Sequence, residues 1–531
     1  MLKIEGVRLH PGDGAEILRR RCADILKIQE HELLSCRVLR RSVDAREGVH
    51  LVYTLAAEVR DEPRILHRAH SSHVSRCVSS PPYALPAPVP PPEHPPVVAG
   101  AGPAGLFCTL VLAKAGLRPI LLERGKAVEE RQQDVERFWR SGRLDVSSNV
   151  QFGEGGAGAF SDGKLNTGTK DPRHRFILEQ FVACGAPEDI LIDAKPHVGT
   201  DRLHIVLIAL RRQLLSLGAD IRFSQQLTDL QIQNGKLTGV AVSGPEGTHF
   251  LPCANLILAP GHSARDTFEM LYRRDVPMEA KPFAVGVRIE HRQADIDAAQ
   301  YKAYAGHPGL PVSTYKLACH LPGGRAAYSF CVCPGGEVVA AASEENRVVT
   351  NGMSEFARDG ENINGALLVN VTPEDFGGSP LSGIAFQRKL ESAAFTLGGG
   401  NYTAPAQRVG DFLNRRPSTN AGKVTPTYRP KVHFTDLRQC LPKFVADTLA
   451  EALPQLGKKL KGYDDPDAVL TAVETRSSSP VRILRDESGQ SPIRGLYPCG
   501  EGAGYAGGIL SAAADGMQAA ERICECYKRL K

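Results

Sequence analysis

Gly100, Gly102 and Gly105 stand in "VVAGAGPAGLF" (97–107) at the spacing G-x-G-x-x-G, between a short apolar run and a longer one. The first glycine allows a tight turn, the second lets backbone approach a pyrophosphate, and the third lets a helix pack on a strand. Pro103 and Ala104 open that helix, whose N-terminal amides and partial positive charge suit a phosphate. Glu123 ends the next strand-like run, 18 residues after Gly105, with Arg124 beside it. A carboxylate there can accept from ribose hydroxyls, and it disfavours a 2′-phosphate. These residues are expected to bind a dinucleotide, with FAD and NAD both open at this point.

A second glycine cluster, "NVQFGEGGAGAFSDGKLNTG" (149–168), narrows that choice. Gly155, Gly156 and Gly158 let the main chain lie flat against a ligand and offer amide donors. Ser161, Asp162, Gly163 and Lys164 add short polar groups and a cation. An NAD-only domain needs no such loop about fifty residues after its first motif, whereas the longer FAD contacts several segments. FAD is therefore the expected cofactor.

The other reactive side chains give weaker signals. "CVC" places Cys331 and Cys333 too close for an unstrained disulfide. No matching pair stands at zinc-ligand spacing, and no metal is expected. Cys499 ends a strand-like run and reads first as a small buried hydrophobe. Arg476 and Arg482 flank "SSSPV", where they could hold an anionic substrate or an FAD phosphate. Cys331, Cys333, Cys499, Lys164 and Arg476 are the candidate catalytic residues, and none of them stands out.

These residues need elements to position them. "PVVAG", "PAGLFCTLVLAKAG" and "RPILLERG" form a βαβ unit, whose crossover should be right-handed. "DRLHIVLIALRRQLLSLG" has helical spacing. In the following stretch, "NG" (234–235) and "GPEG" (244–247) join three strand-like runs into a meander. The meander leads into the buried strand "NLILAPG" (255–261). Upstream, residues 1–80 combine a helix, "EILRRRCADILKI", with a strand, "HLVYTLAAEV". "PPYALPAPVPPPEHPP" (81–96) supports neither helix nor sheet and reads as an extended linker.

Bulk composition excludes several classes. The balance of 64 basic and 59 acidic residues gives only +5, too little to suggest a nucleic-acid partner. No apolar stretch approaches about 20 residues, so no membrane span is expected. The first residues lack a signal-peptide core, and thirteen scattered cysteines are no disulfide framework, so a cytoplasmic location is expected.

The chain resembles the bacterial family of uncharacterised FAD-dependent (FAD-utilising) dehydrogenases, within the two-domain FAD/NAD(P)-binding oxidoreductases. The matching stretches include "GAGPAGLF", "NVQFGEGGAGAFSDGKL", "APGHSARDTFEML" (259–271), "KPFAVGVRIEH" (281–291), "FCVCPGGEVVAAASE" (330–344) and "ETRSSSPVRILR" (474–485). They run in order through nearly the whole chain, apart from the proline linker. The resemblance implies a Rossmann-like FAD-binding domain of glutathione-reductase type, a parallel sheet plus β-meander. An α+β substrate domain is inserted in it and a small α+β domain precedes it.

The implied boundaries are 1–80 for the N-terminal domain, 81–96 for the linker, 97–263 and 471–531 for the two parts of the FAD domain, and 264–470 for the substrate side. Related flavoproteins end in a strand, a glycine-acid turn and a helix whose N-terminus faces the flavin. "GLYPCGEGAGYAGGI" (495–509) matches that pattern. The resemblance thus implies that Gly500 and Glu501 contact the ribityl or pyrophosphate part, and that Gly507, Gly508 and Ile509 present amides to the ring. Gly261 would cross near FAD.

The expected function is hydride or electron-pair transfer between noncovalently bound FAD and a small organic substrate. With no second βαβ unit opening on G-x-G-x-x-G, NAD(P)H would act only as a transient external reductant. An FAD-dependent RNA-modifying enzyme and a non-catalytic redox sensor are the alternatives. The oligomeric state stays open.

Overall fold

The computed structural model describes residues 1–69, 71–78 and 81–528. A five-stranded parallel sheet carries the nucleotide motif. Its order is Leu496–Pro498, Leu256–Leu258, Val97–Ala99, Ile120–Leu122, Asp220–Arg222. Val97–Ala99 is central, so the loop after Ala99 emerges among the carboxyl ends of its neighbours, where open α/β sheets bind ligands. The helix Pro103–Lys114 is buried nearly all round. It must be, because the last helix, Ile509–Lys528, packs along it. Two glycines allow the close approach of these elements. A Cβ on Gly105 would lie 1.8 Å from the Gly100 carbonyl oxygen, and one on Gly516 would lie 2.0 Å from that of Ala104.

The meander forms as the turns predict. Gln226–Gln233, Lys236–Gly244 and Gly247–Pro252 pair antiparallel in sequence order. Asn234 and Gly235, both at positive φ, make the tight hairpin between the first two.

Residues 264–470, which the sequence leaves as a mixture, build around a seven-stranded sheet. Its order is Ala318–His320, Ala326–Cys333, Asn362–Val371, Phe283–Arg292, Val469–Glu474, Ala404–Arg408, Val432–Phe434. Asn362–Val371 and Phe283–Arg292 are almost wholly buried, so they show no alternation of apolar and polar residues. The expected boundary at 470 falls inside the strand Val469–Glu474. The chain leaves this sheet only after Glu474 and then pairs Val481–Ile483 with Met278–Ala280.

The N-terminal unit is a four-stranded antiparallel sheet, Leu33–Asp44, His50–Val59, Leu2–Leu9, Val74–Arg76, with the helices Ala15–Leu26 and Glu62–Ala69. It is fastened to the body at Arg41. The Arg41 amide donates to Ile192 O at 2.8 Å, and its guanidinium pairs with Asp189 and Asp193. Residues 81–96 hold no helix or strand, as expected, but they lie against the body. The Val89 amide donates to Ala115 O, and the Tyr83 hydroxyl donates to Glu521. Among the described residues no helix is long and apolar enough to cross a membrane.

Candidate functional site

A cavity of about 380 Å³ opens at the carboxyl ends of the parallel strands. Segments distant in sequence meet there: the first glycine turn (Gly100, Gly102), the second cluster (Gly156, Gly158), the Gly261 crossover and the late turn from Gly500 to Ile509. Pro103, Ala104, Glu123, Arg124, Ser161, Asp162, Gly163, Lys164, Gly507 and Gly508 also reach its wall. The seven-stranded sheet closes the far side with Phe330, Cys331 and Glu474, joined by Asn351 from the two-stranded sheet Glu337–Ala340 with Thr350–Met353 and by Arg476 from the loop after Glu474.

The wall is shaped for a ligand that needs bare backbone. A Cβ on Gly261, Gly507 or Gly508 would meet nothing within 4 Å, so these positions front open space. The amides of Gly508 and Ile509 have no acceptor among the described residues. Both stand at the positive end of a 20-residue helix. Gly507 differs from expectation, since its amide donates to Ser511 Oγ at 3.2 Å. Only two of the three expected amides therefore face outward.

Two glycines serve packing instead of the ligand. Gly105 does not reach the cavity, because it meets the Gly100 carbonyl. Gly155 turns away as well, and a Cβ there would lie 2.4 Å from Leu207 Cδ1. Arg131, which the sequence reading passed over, organises the second cluster. It is fully buried and donates to three carbonyl oxygens, of Asn149 (2.8 Å), Val150 (3.0 Å) and Glu154 (2.6 Å). Gly153 lets it pass, since a Cβ there would lie 2.3 Å from Arg131 Cδ. Nothing in the local pattern around Arg131 marks it, because its acceptors lie 18 to 23 residues away.

The carboxylates divide by role. Glu123 accepts from the amides of Ala101 (2.8 Å), Gly125 (2.9 Å) and Gly153 (3.0 Å), so it ties both glycine loops together. A carboxylate has about four acceptor positions, which leaves one for a hydroxyl in the cavity. Asp162 is not a free ligand contact. It is buried and pairs with Arg358 at 2.6 Å and Lys164 at 3.0 Å. Burial pushes its carboxyl up, but the two cations prevail and hold it at about 2. Arg124 pairs with Asp266 and lies over the Phe152 ring.

Three titratable groups in the cavity wall stand out. Burial raises Glu474 to about 7 even though Arg288 opposes it. Burial raises Glu501 to about 7 as well, with Lys281 opposing. Cys331 goes the other way, to about 5. A hydrogen bond from Cys333 lowers it, burial opposes, and Lys164 and Arg288 lower it further.

Cys333 lies behind Cys331, fully buried and outside the cavity wall. Cys499 does touch the cavity, but burial drives its thiol upward, which removes it as a ready thiolate. Arg476 is also reassigned, because its guanidinium is engaged by the buried Glu391 at 3.1 Å. Glu391 takes Arg265 at 2.7 Å too, and Glu344 pairs with both arginines, so two guanidiniums face two carboxylates without an anionic ligand. Burial, together with Arg476 and Arg265, pushes the nearby His262 down to about 3, so it stands neutral in the wall. Glu474, Arg288 and Asp515 escaped sequence reading. Asp515 holds the late turn by accepting from the Gly500 amide at 2.7 Å and pairing with Arg485.

The chain is similar to several known proteins. A family model described as "FAD-dependent protein, C-terminal domain-like" matches residues 282–477, and a domain of unknown function matches residues 1–60. An uncharacterised protein of Clostridium beijerinckii is 46% identical over 531 residues, 99% of each chain. The Streptomyces rimosus 12-dehydrotetracycline 5-monooxygenase/anhydrotetracycline 6-monooxygenase is 31% identical over 173 residues, which are 31% of this chain and 30% of its own. Among solved structures, the flavin-dependent brominase Bmp2 is 14% identical at a TM-score of 0.37, covering 82% of this chain and 79% of that one. The aklavinone-11 hydroxylase complex with FAD and aklavinone is 14% identical at a TM-score of 0.33, covering 82% and 63%. Near-complete alignment with the Clostridium protein, and the match over the sheet that closes the cavity, lead to one conclusion: the chain belongs to the FAD-dependent protein family.

Proposed function

We propose that this protein is an FAD-dependent oxidoreductase that passes a hydride or electron pair between noncovalently bound FAD and a small organic substrate. The observation that carries this reading is one cavity in which three glycine-rich backbone segments, the last of them carrying Glu501, face Glu474 and Cys331. Gly100, Gly102 and the N-terminus of the Pro103–Lys114 helix would hold the pyrophosphate, and Glu123 a ribose hydroxyl. The amides of Gly508 and Ile509 would face the flavin's pyrimidine edge. When bound, FAD supplies the electron-accepting ring, and the protein supplies orientation and electrostatics. Glu474, at about 7, can hold or release a proton near neutral pH, as an acid or base for substrate must. The Ala326–Cys333 strand and the loop after Glu474 close the site over the ring's expected position.

Among the described residues no second βαβ unit opens on a G-x-G-x-x-G turn, which supports direct access of substrate or of NAD(P)H to the ring. The test is the absorption spectrum of the purified protein, followed by anaerobic titration with NADH and NADPH. A yellow protein bleached by one of them, or by a small organic donor, is expected. A colourless protein that fails to take up added FAD would falsify the reading. The similarity to the tetracycline monooxygenase favours a second reading, in which the reduced protein consumes oxygen. Oxygen uptake coupled to hydroxylation of an added aromatic would select it.

A further inference from the structure

Two thiols reach the cavity, and their surroundings differ. Cys499 ends a buried strand, whereas Cys331 stands at a break in a strand. The register of Ala326–Cys333 against Asn362–Val371 shifts between Phe330 and Cys333, and Cys331 adopts a left-handed φ of 41°. A non-glycine residue keeps that conformation only where its surroundings impose it. The fold-back brings Cys333 Sγ to 3.4 Å from the Cys331 carbonyl oxygen, so the two cysteines share one turn.

Two cations serve this turn. Arg288 donates from Nη2 to Cys331 O at 3.0 Å and lies 3.7 Å from Cys333 Sγ. Lys164 donates from Nζ to the carbonyl of Val332, the residue between the two cysteines. Cations at a thiol favour the thiolate, the reactive form. Cys331 thus stands at the cavity in a constrained turn that carries two cations, and the buried Cys333, with Arg288 at its sulfur, stands behind it as its resolving partner.

We propose that Cys331 and Cys333 form a dithiol–disulfide couple that exchanges an electron pair with FAD and stores it between cofactor and substrate. The proposal rests on the FAD reading of the cavity. In the oxidising direction the Cys331 thiolate and the Cys333 thiol form one S–S bond as the Cys333 S–H bond breaks. The electron pair passes to oxidised FAD and the Cys333 proton follows it there. In the reverse direction the S–S bond accepts the pair, Cys333 regains its proton and Cys331 leaves as the thiolate. A disulfide between residues two apart is strained, hence easily reduced, which suits a carrier and not a structural link.

The test is electron counting on the FAD-loaded protein, oxidised mildly with diamide and titrated anaerobically with dithionite. Wild type should take up twice as many electrons per flavin as Cys333→Ser or Cys331→Ser. Peptide mass analysis of oxidised wild type should show the 331–333 segment lighter by two hydrogens and closed to alkylation. A yellow wild-type protein that takes up a single pair, with both cysteines still alkylated, overturns the couple and leaves the FAD reading intact. A protein that binds no FAD overturns both.

Discussion

Arg288 and Glu474 form an ion pair at 3.3 Å in the buried wall between the seven-stranded sheet and the cavity. Each is costly there without the other, since an unpaired buried charge is far less stable than a paired one. Arg288→Met is expected to cost about 3–5 kcal/mol, and Arg288→Met with Glu474→Gln to recover most of that loss. Denaturant unfolding of the single and double variants measures both. A double variant whose loss equals the sum of the two single losses would show that the pair is not coupled.

Glu501 predicts a pH dependence. Its carboxyl is raised from 4.5 to about 7 in the folded protein, so the folded state holds that proton more tightly than the unfolded chain. The stability this provides is fully present below about 4.5 and is lost as pH rises through about 7. Glu501→Gln should match wild type near pH 4.5 and exceed it by on the order of 2 kcal/mol at pH 8. Chemical denaturation of the flavin-free protein at both pH values tests this, and a difference that does not grow with pH contradicts it.

Gly507 and Gly516 should separate binding from folding. At Gly507 a Cβ meets nothing within 4 Å, so Gly507→Val should leave flavin-free stability within about 0.5 kcal/mol. FAD affinity should fall about tenfold or more as the side chain enters the ring's place. At Gly516 a Cβ would strike the Ala104 carbonyl, so Gly516→Ala should cost about 1–3 kcal/mol before any cofactor is added. Thermal melts and flavin titration read the two effects separately.

Arg131→Met removes donors from three buried carbonyls, each of which then lacks its partner. A loss on the order of 3 kcal/mol is expected, with weaker FAD retention because the second glycine loop lines the cavity. Limited proteolysis should cut the variant within residues 149–168, and an intact loop would count against this role.

Local signals gave the parallel sheet's core and the meander. G-x-G-x-x-G between an apolar strand and helix has few structural solutions, and Asn-Gly between two strand-like runs has fewer. The seven-stranded sheet was not legible, because strands buried on both faces carry no alternation and their partners come from distant segments.

The site divides in the same way. Sequence alone determined where the bare-backbone cradle lies, since glycine spacing is a local property of the chain. It also named Cys331 and Lys164, though with no relation between them. Only the tertiary structure decided which charges are free and which are engaged. Asp162 and Arg476 are neutralised by Arg358 and Glu391, 196 and 85 residues away. Burial in the fold raises Glu474, and Cys331 is lowered by Cys333 beside it in the chain and further by Lys164 and Arg288, which only the fold brings near. Electrostatic energies depend on distance and burial in space, and no spacing along a chain encodes those directly.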